Sequence, residues 1–378
     1  MALNFPSSPT DGYVWRPGGN LPNYVYRTAK GAWTRPAGTA IRPNRIVNPT
    51  FQIAQPTAAP VGIGGYPVDQ WFFDASPGAA GTILRLADAV NTVGGWCISG
   101  TVSVAVPTLA AGDYYSYCQR IEGTRIADFN WGPVTSSLAR AAVLRFRAYS
   151  EKSGTYTVAI RNGTSSRSFL APFTLVANTW TTVVISVPGD ILTTWTVDTG
   201  MAMIINFVFA CGTTYGSGVA GWQAGNHLGI AGMTNGITAA AGNGHRIADV
   251  GLWVDPNNTG LAPEFIVPNY EDDLADCQRY WYPCFMSRGV ISGTLQGHVQ
   301  AVHPVPMRIA PALSIVGAPR LYDTTVAPTI TSISSNPSNN MALYAVMVTA
   351  GTFVLGRPAM QLSDGVQYTK YIAVNARM

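Results

Sequence analysis

Residues 144–161 read LRFRAYSEKSGTYTVAIR. Leu144, Phe146 and Ala148 alternate with Arg145, Arg147 and Tyr149. Beyond the turn at Glu151 and Lys152, Tyr156, Val158 and Ile160 alternate with Thr155, Thr157 and Arg161. An apolar period of two places one set of side chains on a buried face and the other on an open one, which is the pattern of a strand. The pattern continues outward in both directions. Met203, Ile205, Phe207 and Phe209 alternate with shorter or polar neighbours. Further strands are predicted over 82–88, 96–106, 114–121, 167–175, 180–187 and 246–254, separated by clusters such as Asn162-Gly163 and Pro188-Gly189-Asp190. About nine strands with no helical pattern between them exclude a βαβ fold and predict an all-β jelly-roll sandwich over 46–268.

The flanks read differently. Residues 1–45 are dense in Pro, Gly, Trp and Tyr, with Phe5-Pro6-Ser7-Ser8-Pro9-Thr10, Pro17-Gly18-Gly19 and Gly31-Ala32-Trp33. Such a segment is a small extended or hairpin-like module that docks on something larger. Residues 269–284 predict a linker helix. Asn269 caps it, Glu271, Asp272 and Asp273 favour its dipole, Leu274, Cys277 and Trp281 follow at helical spacing, and Pro283 stops it. Residues 285–378 return to strands, at 289–300, 312–316, 341–350 and 367–374, with a turn at Ser363-Asp364-Gly365. Four main strands leave open edges, so neighbouring copies are expected to complete this smaller β domain.

Charged residues make up only 11% of the 378-residue chain, against about 25% in ordinary soluble domains. Little charge repulsion then opposes self-association, and obligate assembly is expected. The basic residues are 20 Arg and 3 Lys, scattered from Arg16 to Arg377, without the basic stripe of a nucleic-acid binder. Arg suits pairing with carboxylates and stacking on rings, as protein or sugar contacts require. The longest apolar run, Met201–Cys211, is interrupted by Asn206 and is too short to span a membrane. No basic region followed by an apolar stretch opens the sequence, so a chain made in the cytoplasm without a secretory signal is expected.

Catalytic patterns fail. There is no nucleophile elbow, phosphate loop or zinc motif, and the four Glu residues (Glu122, Glu151, Glu264 and Glu271) are dispersed. Asp249 and Asp255 could line a cleft at a strand end, but solvated loop acids are commoner. His227, His245, His298 and His303 lack metal-ligand spacing, and Cys97, Cys118, Cys211, Cys277 and Cys284 fit no zinc pattern and read as free thiols. Asp255-Pro256-Asn257-Asn258 offers oxygens to calcium, but a plain turn is the commoner reading of such a run. Neither enzyme activity nor a metal or cofactor is expected. Sugar binding needs aromatic faces beside hydrogen-bonding groups. The Gly-rich segment carrying Tyr215, Trp222 and His227, and the loop carrying Trp131, offer both and are the candidate ligand contacts; the competing reading of these aromatics is packing.

Several motifs carry a resemblance. Asn48-Pro49-Thr50-Phe51-Gln52-Ile53, Asp69-Gln70-Trp71 and Gln119-Arg120-Ile121-Glu122 follow in order, and Cys277-Gln278-Arg279-Tyr280-Trp281 closes the series. This chain resembles tailed-bacteriophage tail-fibre and spike proteins. In their carbohydrate-binding-like jelly roll an opening N-x-x-F strand, a D-x-W motif, a Q-R-I-E strand and a closing C-Q-R-Y-aromatic recur. Asn4 through Trp33 resembles an N-terminal module of phage fibre and neck proteins. His303-Pro304-Val305-Pro306-Met307-Arg308 resembles the β domain that follows. The usual closing T-P-F-E appears only as Ala262-Pro263-Glu264-Phe265.

The resemblance implies a virion protein that attaches to host cell-surface polysaccharide, commonly as a homotrimer. It also implies contact with other virion proteins through the N-terminal module. It transfers no ligand residues, because the shared motifs read as structural. The alternative is a purely structural head-fibre, collar or adaptor protein. Arg279 is expected to pair with Asp276, Glu271 or an acid of a neighbouring subunit. The low charge and the open C-terminal sheet predict a detergent-resistant homo-oligomer; a clean monomer in light scattering at micromolar concentration would overturn this.

Overall fold

The computed structural model describes residues 14–15, 24–27, 32–34, 43–55, 60–76, 81–134, 136–240, 243–286, 288–335, 339–362 and 371–378. The chain forms two units, Met1–Asn44 and Arg45–Met378. In the first, β1 (Val14–Trp15), β2 (Tyr24–Arg27) and β3 (Ala32–Thr34) make an antiparallel sheet in that order, with Val14 opposite Val25 and Tyr26 opposite Trp33. The Phe5-Pro6-Ser7-Ser8-Pro9-Thr10 run lies outside the described residues, as does the Ser363-Asp364-Gly365 turn.

The second unit opens with the jelly roll, two antiparallel sheets face to face. One holds β4 (Trp71–Ala75), β7 (Tyr114–Glu122), β9 (Gly154–Asn162), β10 (Arg167–Leu175), β12 (Met201–Cys211) and β13 (Gly221–Ala224), in the order β13-β10-β9-β12-β7-β4. The other holds β5 (Gly81–Ala87), β6 (Trp96–Val102), β8 (Ala141–Ser150), β11 (Thr181–Val187) and β14 (His245–Asp255), in the order β11-β8-β14-β6-β5. Inward-pointing rings weld the sheets. Phe207 lies 4.8 Å from Phe146 of the opposite sheet and 6.0 Å from Trp71 of its own. His245 stacks on Phe209 at 4.3 Å. Burial lowers its pKa to about 4, so it sits in the core as a neutral ring.

One strand departs from simple alternation. β12 is buried along both faces over nine consecutive residues. Its outward residues are covered as well as its inward ones, because the segment after it folds back over the sheet. Leu228, with Tyr215, Ile230 and Met233 beside it, packs on Ala159, Leu170 and Val208.

Residues 46–53 are a tight turn rather than an opening strand, with Asn48 and Phe51 in the left-handed region at φ 52° and 58°. Asn tolerates that region where most side chains do not. Its side chain also fastens the turn. Nδ2 donates to the carbonyls of Ile53 at 2.8 Å and Asp69 at 3.1 Å, and Oδ1 accepts from the Ile53 N–H at 3.1 Å. The backbone of Asn48 completes the knot, donating to Asp273 Oδ1 at 2.9 Å and accepting from the Trp71 indole at 3.0 Å.

The other motifs converge on the same place. Gln119 clasps the backbone of Val47 through both amide atoms, at 2.9 and 2.8 Å. A short helix, α1 (Gly123–Ile126), follows β7, and the linker helix α2 spans Tyr270–Gln278 with Asn269 accepting from the Glu271 N–H at 3.1 Å. Arg125 on α1 donates through both terminal nitrogens to Asp276 Oδ2 at 3.1 Å. Arg279 instead grips Glu122 with two bonds, at 3.0 and 3.2 Å. Its partner is therefore the acid that ends β7, within the chain. Cys277 and Tyr280 pack with Val47 and Ile53 in a small apolar plug. The predicted helix ends early: Trp281 and Pro283 belong to a strand, and all five cysteines are free.

That strand, β15 (Trp281–Cys284), begins a C-terminal body richer than four strands. β16 (Arg288–Gly293), β17 (Gln296–Val302), β18 (Ala312–Val316), β19 (Arg320–Tyr322), β20 (Ile330–Ser335), β21 (Ala342–Thr349), β22 (Met360–Leu362) and β23 (Tyr371–Asn375) follow. The sheets are β15-β23-β18, β16-β17-β21-β20 and β19-β22. The outer edge of β16, expected to be open, is covered by the chain itself. Ile291 N–H donates to Arg357 O, Gly356 N–H to Ile291 O and Ala359 N–H to Gly289 O, at 2.8 to 2.9 Å.

The residues after β23 run back to the jelly roll. Arg120 donates to Met378 O, and Arg308 donates to the carbonyls of Ala376, Arg377 and Thr199. Arg377 lies 4.1 Å above the Tyr66 ring and 3.6 Å from the wholly buried Asp69 carboxylate. Burial raises the pKa of Asp69 to about 6, and does the same for Asp273, against the pull of Arg377 on the first and the Gln52 amide on the second.

Two predictions follow from this knot. Gly keeps the left-handed backbone while removing the side chain, so Asn48→Gly isolates the three side-chain bonds. Leaving buried partners unsatisfied costs about 1–3 kcal/mol each, and urea unfolding should show a loss of at least about 2 kcal/mol. A loss below about 0.5 kcal/mol would mean that the turn is held by its backbone alone. The second concerns pH. A carboxyl whose folded pKa exceeds its unfolded value contributes stability that is present below the unfolded pKa and lost as pH rises through the folded one. Lowering the pH from 7 to 5 should therefore favour wild type relative to Asp273→Asn by roughly 1 kcal/mol. Using the difference cancels the opposing titration of His245, and a pH-independent difference would show that Asp273 is not the titrating group.

Candidate functional site: the outer face of the six-stranded sheet

On the outer face of the six-stranded sheet a row of polar side chains crosses four strands. Alternation along β12 puts Asn206 outward, the one polar residue among Ala202, Ile204, Val208 and Ala210. Register places it opposite Cys118 of β7 and Ala159 of β9. Asn206 Nδ2 donates to Asp74 Oδ2 at 2.9 Å and to Ser116 Oγ at 3.0 Å. Arg161 Nη2 donates to Asn206 Oδ1 at 2.8 Å and lies 3.9 Å from Asp74 Oδ2. Arg161 Nη1 reaches Asn226 Oδ1 at 2.6 Å and Ser165 Oγ at 3.3 Å.

The row runs from wet to dry and back to wet. Asn206 is wholly buried and Arg161 nearly so, while Asp74 is part-exposed and Asn226 exposed. Burial lowers the pKa of Arg161, and the Asp74 carboxylate partly offsets this. Tyr114 OH donates to Asp74 Oδ1 at 3.2 Å. Burial, then the neighbouring Asp74 charge, pushes its pKa up to about 12, so it stays a donor at neutral pH.

Rings flank the acid. On the outer face Asp74 lies between Phe72, two residues back on β4, and Tyr114 of β7. Phe72 carries the Arg120 guanidinium at 4.6 Å and the Tyr66 ring at 5.1 Å. Tyr114 meets Tyr215 edge-on at 5.6 Å. The arrangement offers fixed donors and acceptors beside apolar rings. It holds a single carboxylate, and among the described residues no cluster of three His, Cys, Asp or Glu is placed to hold a metal ion.

The four residues singled out from the sequence divide between two places. Tyr215 and His227 lie on this outer face. The Tyr215 carbonyl accepts from the N–H groups of Leu228 and Gly229, and His227 N–H donates to Ser168 Oγ at 3.0 Å. Trp222 is on a strand, not in a loop, opposite Phe169 of β10, and so points to the other side of the sheet. There it meets Trp131 at 5.5 Å and Trp195 at 5.9 Å, and Trp131 meets Trp195 at 4.8 Å. All three indole N–H groups are satisfied within the chain, by Pro188 O, Arg140 O and Asp190 Oδ2. Trp131 is 6% exposed and presents no free ring face. The three indoles pack the end of the sandwich, with Arg167 bridging Trp222 and Asp190.

The acids considered for a cleft are likewise engaged. Asp249 accepts from the N–H groups of Val93 and Gly94, and Asp255 from Thr259 Oγ1 and Gly260 N–H. The polar row itself had one trace in the sequence, the interruption of the apolar run by Asn206. Its partners Asp74 and Arg161 stand 132 and 45 residues away along the chain.

No family model and no curated protein matches the chain. Among solved structures, the enzymatically active domain of bacteriophage CBA120 tailspike protein 4 is similar at a TM-score of 0.29 and 13% identity, over 56% of this chain and 21% of that one. The chain thus spans only a minor part of that tailspike domain. The TmCBM61 module, solved with β-1,4-galactotriose, gives 0.28 and 12%, over 56% of this chain and 99% of that one. A family 11 carbohydrate-binding module from Clostridium thermocellum gives 0.26 and 11%, over 53% and 97%. At these scores none of them assigns a ligand to this chain.

Proposed function

We propose that the chain is an attachment subunit of a tailed-bacteriophage particle, binding bacterial surface polysaccharide through the outer face of its jelly roll. The observation that carries the binding is the row Asp74–Asn206–Arg161–Asn226. A sugar ring presents hydroxyls at its rim and C–H groups on its faces. It is held by polar groups already fixed in place and by an aromatic wall. In the row each group is oriented by the next, so little ordering cost remains to be met on binding. Asp74, Tyr114 and Asn226 reach the surface, and Phe72 and Tyr215 stand beside them.

The phage assignment rests on the motif order from Asn48 to Trp281 and on the likeness of residues 4–33 to an N-terminal fibre module, which would contact other virion proteins. Binding is favoured over cleavage, because glycoside hydrolysis uses two carboxylates about the scissile bond and the row holds one. One observation favours a purely structural virion component instead: the amide of Asn206 and both terminal nitrogens of Arg161 are bonded to neighbours within the chain, as packing alone would require.

A panel of bacterial surface polysaccharides separates the two. Wild type should bind at least one, and Asn226→Ala, at an exposed position, should weaken binding tenfold or more, about 1.4 kcal/mol, with unchanged melting. Undiminished binding by the variant would remove the row as the site. No binding by wild type to any polysaccharide would favour the structural component.

A further inference from the structure

The sheet β16-β17-β21-β20 buries one face against Met286, Met307 and Leu321 and leaves the other to solvent. Register sets two lines of side chains across the open face. Arg288 stands opposite Gln300 and Gln300 opposite Tyr344, while Val290 stands opposite His298 and His298 opposite Val346. The surface is concave, with a cavity of about 580 Å³ lined by Val290, His298, Gln300, Tyr344 and Val346. Ligand sites commonly fall between about 300 and 1,000 Å³.

The side chains are unspent. Tyr344 is 46% exposed, and Arg288, His298 and Gln300 are exposed. Among the described residues none of the four has a side-chain hydrogen bond, ion pair or ring partner. The charge is one-sided. From residue 285 onward the sequence has only Asp323 and Asp364 as acids, against five Arg and one Lys. Asp323 is buried and engaged by Thr325, Val326 and Arg357. Among the described residues no acid faces the groove.

We infer that this face is a second binding site, for an acidic saccharide. Tyr344 supplies a ring for the apolar side of a sugar. Gln300 and His298 supply hydrogen bonds to hydroxyls. Arg288, two strands from Tyr344 and so about 10 Å away, supplies the planar fork that matches a carboxylate. A peptide strand would need a free sheet edge, and β16 at this border is already paired with residues 356–359. The site is separate from the row on the jelly roll, and its residues make no contact with that row.

Trigalacturonate and its neutral counterpart galactotriose, titrated into the full chain by calorimetry, test this. The acidic trimer should bind at least tenfold more tightly than the neutral one and weaken as salt rises from 50 to 500 mM. Arg288→Ala should remove the preference for the acidic trimer, and Tyr344→Ala should weaken both trimers at least tenfold. Asn226→Ala, which tests the jelly-roll row, should change neither. Equal affinity for the two trimers, no binding of either, or binding unaffected by Arg288→Ala would each overturn the site. Tighter binding of a polyglutamate peptide than of trigalacturonate would also overturn it, in favour of a protein partner. All substituted residues are exposed, and a melting curve of each variant confirms that the fold is kept.

Discussion

The structure of residues 45–378 depends on one turn, held at a backbone angle that few side chains accept. Asn48 sits at φ 52° and bonds to Ile53 and Asp69 through its side chain, and to Trp71 and Asp273 through its backbone. Those partners come from the first turn of the jelly roll, from the strand that opens its six-stranded sheet and from α2. Buried polar groups without partners are costly, so losing the turn would leave several orphaned at once. Glu122 with Arg279, Asp276 with Arg125, and Asp69 with Arg377 surround it. The two β bodies of this unit are therefore joined by a web of directional contacts rather than by a flexible tether.

Such a web is an expensive way to gain stability. Asp69 and Asp273 carry raised pKa values because water is excluded around them, and a buried ion pair often does no better than apolar packing would. What directional groups add is geometry: only one relative placement satisfies them all. The web therefore fixes how the two β bodies of this unit are placed more than it adds free energy. This is also why the recurring motifs are silent about ligands. Asn48, Asp69, Gln119, Glu122 and Arg279 are spent on the joint.

The two faces proposed to bind ligands lie elsewhere, on sheets. The jelly roll carries a row in which charged and amide groups orient one another, and the C-terminal sheet carries exposed groups without partners among the described residues. The two faces solve different problems. The first is preorganised and partly dry, suited to directional hydrogen bonds. The second is wet and cationic, suited to attraction of an anion with looser geometry.

The sequence by itself determined the strands, the cap of α2 and the low charge, because these follow from local rules. Alternation fixes which residues of β8, β9 and β12 share a face, and Asn269 before three acids fixes where α2 begins. It did not determine what lies over each face. Trp222 and Tyr215 are seven residues apart and read as one loop, yet the pairing of Trp222 with Phe169 sends them to opposite sides of a sheet. The turn at Asn48 reads as a strand in the sequence because its partners lie up to 225 residues away. The outer edge of β16 reads as open in the sequence because residues 356–359 carry no strand pattern of their own. Periodicity encodes which side a residue faces. Only the tertiary structure decides whether that side meets water, a covering loop or a distant carboxylate, since those contacts are set by chain crossings that no local pattern records.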